Sequence, residues 1–221
     1  MTALSRVLWD EDAGAPPEGD AVEFRLTFEG PLLGASKTDT RATHKHAIRC
    51  HFHPQLRRLW ETSKPLREMR AIDPERGHVL VPPMTRIAWL RDQYRRADYG
   101  FVPLVTEDLR LHCGISILFL RSDPPGSLIQ SGDLDNRLKT LFDAFRLPAT
   151  KSEFGHYRAP DADEQPFFCL LEDDRLITRV AVETDVLLAP VSDPPDRNDA
   201  RLVITVNLRL VSRTWQNGAF E

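Results

Sequence analysis

The sequence predicts an α/β (α+β) fold, a single domain with a mixed parallel and antiparallel sheet flanked by helices. Four segments alternate apolar with polar residues, as half-buried strands do. Leu138, Leu141, Phe142 and Phe145 recur at i, i+3, i+4 and i+7, the spacing of a helix face that packs on a core. Because these two patterns interleave along the chain, they favour helices packed on a mixed sheet over separate all-α or all-β units.

The elements are expected in the order strand, helix, a less distinct second helix, strand, helix, strand and strand. Helical spacing occurs at Leu56–Trp60 and Leu138–Phe145, and less distinctly at Thr85–Arg96. Strand alternation occurs at Phe24–Phe28, Leu109–Phe119, Leu176–Leu188 and Leu202–Leu210.

Composition sets the expected domain boundaries and the compartment. An acidic, Pro-rich tail is expected at residues 1–21, one folded domain at 22–212 and a short tail at 213–221. The longest apolar stretch, Cys113 to Leu120, has eight residues, far fewer than the about 20 that cross a bilayer. Three cysteines without a CxxC spacing indicate reduced, packed thiols. With no apolar secretory signal, we expect a cytoplasmic protein without a membrane segment.

The charges are distributed unevenly although the net charge is only −4. From Lys37 to Arg70 there are nine Lys/Arg and three Asp/Glu, whereas Glu153 to Asp199 holds twelve Asp/Glu and four Arg. The basic stretch is a candidate nucleic-acid surface because cations on one face bind phosphates. Its candidate residues are Lys37, Arg41, Lys45, Arg49, Arg57 and Arg58. A solvated loop and helix face is the alternative interpretation.

The densest polar pattern is DLDNRLKTLFDAF at residues 133–145, between the longest strand and the clearest helix. Asp133 and Asp135 are two apart, so an extended backbone would direct both carboxylates to one side. Asp135, Lys139 and Asp143 follow at steps of four along one helix edge. Further on, Asp173 and Asp174 stand at the turn into the next strand. A third carboxylate is thereby available to join the first two.

Such a group of carboxylates suits the hydrolysis of phosphodiesters. Oxygen ligands favour Mg²⁺, which takes one or two carboxylates together with phosphate oxygens and water. The ion polarises the phosphoryl oxygen and promotes a water as nucleophile, and a lysine beside it neutralises developing charge. The alternative is structural, because Asp is a common N-cap and Asp–Lys at i, i+4 is an ordinary surface pair.

The two segments DLDNRLKTLFDAF and LLEDDRLI resemble the RusA family of Holliday-junction resolvases, whose pattern is D-x-D-N-x-x-K-x-x-x-D followed by an apolar run ending in D-D. The matching positions are Asp133, Asp135, Asn136, Lys139, Asp143, Asp173 and Asp174. The resemblance implies that Asp133, Asp135 and Asp174 bind catalytic Mg²⁺, or Mn²⁺ in its place, and that Lys139 is the essential cation. Asn136, Asp143 and Asp173 would have supporting roles.

By the same resemblance the chain would be an Mg²⁺-dependent endonuclease that acts as a homodimer on four-way DNA junctions in recombination and repair. The chain departs from the family by extra material at about 37–103 and 148–166. Two other functions therefore stay open. One is a metal-dependent nuclease for flaps, hairpins or RNA, and the other is a non-catalytic protein that binds nucleic acid or a protein partner with the same fold.

Overall fold

A computed structural model of the chain describes residues 22–35, 39–72, 83–122 and 133–212, together with positions 79, 214, 217 and 220. The expected N-terminal tail and Lys37 lie outside the described residues. Among these residues, no helix is long and apolar enough to span a membrane. The chain forms a single-domain α/β fold with two mixed sheets, which confirms the predicted fold class.

The larger sheet has four strands in the order β1-β7-β4-β6. Strand β7 lies antiparallel between β1 and β4, and β6 runs parallel to β4. One face is apolar, for example at Ile115, Ile117 and Phe119, because alternate residues of each strand point towards the helices. The strands are β1 Glu23–Pro31, β4 Leu111–Arg121, β6 Ile177–Val186 and β7 Asp199–Leu210. All four coincide with predicted strands.

The second sheet was not predicted. It has the order β2-β3-β5, with β2 at Arg95–Arg96, β3 at Tyr99–Val105 and β5 at Phe167–Leu171. Every residue of β3 and β5 is buried, so neither strand shows the alternation that identifies a half-exposed strand. Since β3 and β5 are parallel, they end at the same edge, at Val105 and Leu171.

Four helices lie within the described residues: α1 Asp39–Thr62, α2 Lys64–Glu68, α3 Arg86–Gln93 and α4 Asp133–Phe145. Helix α1 is much longer than predicted and continues through Pro54. Short 3-10 turns occur at Lys151–Phe154, Ala162–Glu164 and Asp174–Leu176. The segments expected as insertions therefore contribute to the core, through α1 and β3 in the first and through buried Phe154 in the second.

Helix α1 joins both sheets through polar side chains. The Gln55 amide accepts a bond from Thr27 N at 2.9 Å and donates to Thr27 O at 2.7 Å, so it satisfies the backbone of Thr27 on the outer side of β1. His53 Nδ1 accepts from Phe168 N at 2.8 Å, which leaves Nε2 to donate to Asp163 O at 2.9 Å. These bonds fix α1 against β1 on one side and β5 on the other.

The three cysteines are free thiols, as expected. Burial raises the pKa of Cys50 to about 11 and that of Cys113 to about 12. Burial likewise raises the pKa of Cys169. Protonated, buried thiols are poor nucleophiles, so the cysteines act as packing residues.

His46 on α1 is a buried titratable group that packs among aromatic rings. Its ring contacts Phe154 and Phe167, with ring centroids 5.1 and 6.1 Å away, and its Nδ1 lies 3.5 Å from Arg49 Nη1. Burial and the Arg49 charge lower the pKa of His46 to about 4. The imidazole is therefore neutral in the folded protein at neutral pH.

We expect acid to destabilise the protein through His46. His46 takes up a proton near pH 6.5 in the unfolded chain but only near pH 4 in the folded chain. The free energy of unfolding therefore decreases as the pH falls from 6.5 to 4. The loss amounts to at most about 3.5 kcal/mol, at about 1.4 kcal/mol per pKa unit. Urea unfolding of His46→Phe should show a flatter dependence between pH 6.5 and 4. Replacing exposed His156 by Gln should leave the dependence unchanged, and an unchanged slope in His46→Phe would contradict the assignment.

Candidate active site at the start of helix α4

Helix α4 presents the polar motif to solvent and packs its apolar face on the core. Asp135, Asn136 and Lys139 are exposed in its first two turns. On the opposite side Leu141 and Phe145 are buried, as the helical spacing predicts. The expected extended backbone at Asp133 and Asp135 is wrong, because both residues belong to the helix. The motif therefore lies on a rigid element.

The first turns of α4 are held against the ends of β1 and β7. Ala35 N donates to Asn136 O at 2.9 Å. The buried Arg137 guanidinium donates to Asn198 O at 3.5 Å and to Asn198 Oδ1 at 3.4 Å. Asn198 O also accepts from Leu32 N at 2.8 Å. These bonds fix the backbone on which Asp135 and Lys139 stand.

The other end of α4 lies at the end of β5. Leu147 N donates to Leu171 O at 3.1 Å. Arg49 Nη2 donates to Asp143 O at 3.0 Å and Arg49 Nε donates to Arg146 O at 3.3 Å. A cation that binds the last carbonyls of a helix stabilises its C-terminus. Helix α4 thus runs from the β1–β7 end of the larger sheet to the end of the second sheet.

Asp174 lies near this second end of α4, not near Asp135. It follows Leu171 by three residues, in the 3-10 turn before β6. Burial lowers the pKa of Arg146, but the carboxylates of Glu153, Asp143 and Asp174 outweigh this effect and raise it. Asp174 is therefore close enough to Arg146 for their charges to interact.

The structure separates Asp135 from Asp174 and does not describe the side chain of Asp133, so the described residues do not assemble the expected group of three carboxylates. Asp174 precedes β6, whose first residue Ile177 pairs with Cys113 at the start of β4. Arg137, beside Asp135, binds Asn198 just before β7, whose Ala200 pairs with Arg121 at the other end of β4. The eight residue steps from Cys113 to Arg121 span about 26 Å at 3.3 Å per residue. Two oxygens that share one Mg²⁺ lie about 4 Å apart, because each is about 2.1 Å from the ion. The fold therefore does not bring Asp174 of one subunit to the same ion as Asp135.

Asp143 and Asp173 have structural partners. Asp143 Oδ2 forms an ion pair of 2.5 Å with Lys45 Nζ, and its Oδ1 lies 3.5 Å from Arg146 Nε. Asp143 therefore pairs with cations other than Lys139, its expected neighbour along the helix edge. Asp173 caps the 3-10 turn, where its Oδ1 accepts from Arg175 N at 3.0 Å.

Sequence reasoning missed the acidic residues that follow β3. Glu107 and Asp108 lie beside the segment after β5, because β3 and β5 are parallel and end together. Glu107 forms an ion pair of 2.7 Å with Arg175. Asp108 forms one of 2.6 Å with Arg86, which is buried. The signal was an acidic pair directly after an apolar run, the same pattern that identified Asp173 and Asp174.

The predicted nucleic-acid surface is smaller than expected. Arg49 is only 1% exposed, so its assignment to that surface is corrected. Lys45 is largely covered by its ion pair with Asp143. Arg57 is exposed but pairs with Glu61 at 2.9 Å. Arg58 is exposed and Arg41 half-buried, so these two and Arg57 are the described candidates that remain at the surface.

Within the parts of the chain that the structure describes, no group of three or more His, Cys, Asp or Glu side chains is arranged to hold a metal ion. No family model matches the chain, and no curated protein or solved structure is significantly similar to it. The local geometry of α4 and the motif on it therefore carry the functional argument.

Arg49 should be important for stability and not for surface binding. It is fully buried, and burial lowers the pKa of its guanidinium to about 10. We expect Arg49→Ala to lower the free energy of unfolding by about 2–4 kcal/mol, because two helix carbonyls lose a charged donor. Exposed Arg58 on the same helix is the matched control, and Arg58→Ala should change stability by less than about 0.5 kcal/mol. Equal effects in urea unfolding would contradict the assigned role.

Proposed function

We propose that the protein is an Mg²⁺-dependent, structure-selective DNA endonuclease that resembles the RusA resolvases, works as a homodimer and cleaves branched DNA. The observation that supports this proposal is the exposure of Asp135 and Lys139 on the first turns of a helix fixed at both ends. A purely structural motif would be expected to use these side chains in packing or pairing, as Asp143 is used.

The proposed ion is held by Asp135, with Lys139 one turn further along α4. Side chains two positions apart on a helix do not face each other, so the expected sharing of one ion by Asp133 and Asp135 no longer follows from the backbone. One carboxylate is sufficient for Mg²⁺, which completes its shell with waters and phosphate oxygens of the substrate. When bound, the ion polarises the phosphoryl group and activates water. The start of a helix also favours a phosphate, because its free N–H groups and its dipole attract anions. Lys139 would neutralise the negative charge that develops on the phosphate.

Asp174 of the same subunit is left out of this ion site. The charges near it are Arg146 and, along the turn, Arg175 and Asp173. This differs from the role that the resemblance implies for Asp174. Mutations at the two ends of α4 should therefore have different effects on metal binding.

Substitution of Asp135 tests the proposal directly. We expect Asp135→Asn to reduce Mg²⁺-dependent cleavage of a four-way junction by at least about 100-fold, since the amide keeps the shape but loses the charge that binds the ion. Asp163→Asn, an exposed carboxylate in a 3-10 turn, is the matched control and should cleave at the parent rate. Parent-like cleavage by Asp135→Asn would refute the assignment.

A measurement of metal binding distinguishes the proposed role of Asp135 from that of Asp174. In calorimetric titration with Mn²⁺, Asp135→Asn should weaken binding by at least about tenfold. Asp174→Asn should change the dissociation constant by less than about twofold, because it lies near the other end of α4. Equal losses in the two variants would show that both carboxylates hold one ion.

The choice of substrate distinguishes the remaining alternatives. The proposed function predicts that the four-way junction is cleaved faster than a flap, a hairpin, a linear duplex, a single strand or RNA, with no cleavage when EDTA removes the metal. Faster cleavage of another substrate would retain the ion site and change the function to that of a different nuclease. Metal-independent binding without cleavage of any substrate would favour the non-catalytic alternative.

A further inference from the structure

Strand β6 is the open edge of the larger sheet. It pairs with β4 and with no other described strand, whereas on the opposite edge, β1, Gln55 of α1 binds the backbone N–H and C=O of Thr27. None of its ten residues is buried, and Val180 on its helix-side face is 45% exposed. A long edge strand without Pro, regular from Arg179 to Val186 after an irregularity at its start, offers free N–H and C=O groups to another strand. This edge therefore has the form of a pairing surface.

The sequence of β6 is symmetric about Ala181. Residues 178–184 read TRVAVET, so valines flank Ala181 and threonines stand three residues from it on either side. The residues two positions from Ala181 differ, since Arg179 precedes it and Glu183 follows it. Their side chains carry opposite charges, so Arg179 of one copy could pair with Glu183 of an antiparallel copy. In an antiparallel copy, each of residues 178–184 would meet a residue of the same type or of opposite charge.

We propose that two copies of the chain pair antiparallel through β6, centred on Ala181, and form a continuous eight-stranded sheet across a two-fold axis. Thr178 would then lie opposite Thr184 of the partner subunit, and Val180 opposite Val182 of the partner subunit. Arg179 would lie opposite Glu183 of the partner subunit, and the two-fold axis repeats each pair. Cross-strand pairs of β-branched residues and of opposite charges stabilise antiparallel strands.

The faces of β6 agree with this register. A Cβ placed at Gly114 would lie 3.6 Å from Arg179 Cβ, so Arg179 points to the polar face of the sheet. Glu183 is paired in register with exposed Leu118 on that same face. Val180 and Val182 are paired with Ile115 and Ile117 on the apolar face. The charged pairs would form on one face and the valine pairs would extend the apolar layer on the other.

This proposal specifies the interface of the proposed homodimer, and it rests on that part of the proposed function and not on nuclease activity. Assembly is measured without DNA or metal, so its failure is distinct from a failure of cleavage. Asp135→Asn should remain a dimer.

Charge reversal tests the interface in the full-length protein. By sedimentation equilibrium, the parent should be a dimer. Arg179→Glu and Glu183→Arg should each raise the dimer dissociation constant at least about tenfold, because each places like charges opposite one another twice. The double variant Arg179→Glu/Glu183→Arg restores opposite charges and should regain the parent constant. Arg25→Glu, an equal charge change on β1, should leave the dimer unaffected.

Circular dichroism verifies that each variant remains folded. A monomeric parent would overturn both the β6 interface and the proposed homodimer. It would not affect the test of metal-dependent cleavage with Asp135→Asn. A dimeric parent whose dissociation constant is unchanged in both single variants would overturn the β6 interface alone. Both single variants could be folded and form a weaker dimer while the double variant does not regain the parent dissociation constant. That result would likewise exclude the pairing of Arg179 with Glu183.

Discussion

The attachment of helix α4 at both of its ends determines how the acidic residues of this protein are distributed. At the first end, backbone and arginine bonds join Asn136 and Arg137 to the ends of β1 and β7. At the other end, Arg49 binds the last carbonyls of the helix, and Leu147 pairs with the end of β5. A helix held in this way cannot shift along its axis without breaking bonds at both ends. Its length therefore keeps Asp135 and Asp174 apart.

The same attachment changes the interpretation of the basic stretch. A count of charges suggests a surface for phosphates, but Arg49 and Lys45 are used to bind the end of α4 through Asp143 and its carbonyl. The cost of burying the Arg49 guanidinium is offset by three neighbouring acceptors, which is consistent with the burial of a charge only where hydrogen bonds satisfy it. Of the candidate residues that the structure describes, Arg41, Arg57 and Arg58 remain at the surface.

The sequence predicts the larger sheet and α4 because their residues alternate or recur with a clear period. It does not reveal β3 and β5, which are buried on both faces and so have no alternation. Helix α1 is underestimated because its apolar residues recur only at every fourth position, as at Ile48, Phe52, Leu56 and Trp60. Its other buried positions include polar His46, Arg49 and His53, whose partners come from distant segments.

For the site, the motif identifies the exposed polar residues of α4, but spacing along the chain does not determine distance in the fold. The resemblance suggested that Asp174 would join Asp135, whereas the bonds at the end of β5 place Asp174 near Arg146. That difference depends on which ends of the strands and of α4 lie together. It follows from tertiary packing and could not be obtained from the motif alone.

The most direct measurement of the central claim is paramagnetic broadening of backbone amide signals by Mn²⁺ in the full-length protein. With the ion at the start of α4, the signals of residues 134–139 should be lost first, and Asp135→Asn should abolish the effect. Broadening that is strongest at residues 172–176 and persists in Asp135→Asn would contradict the account.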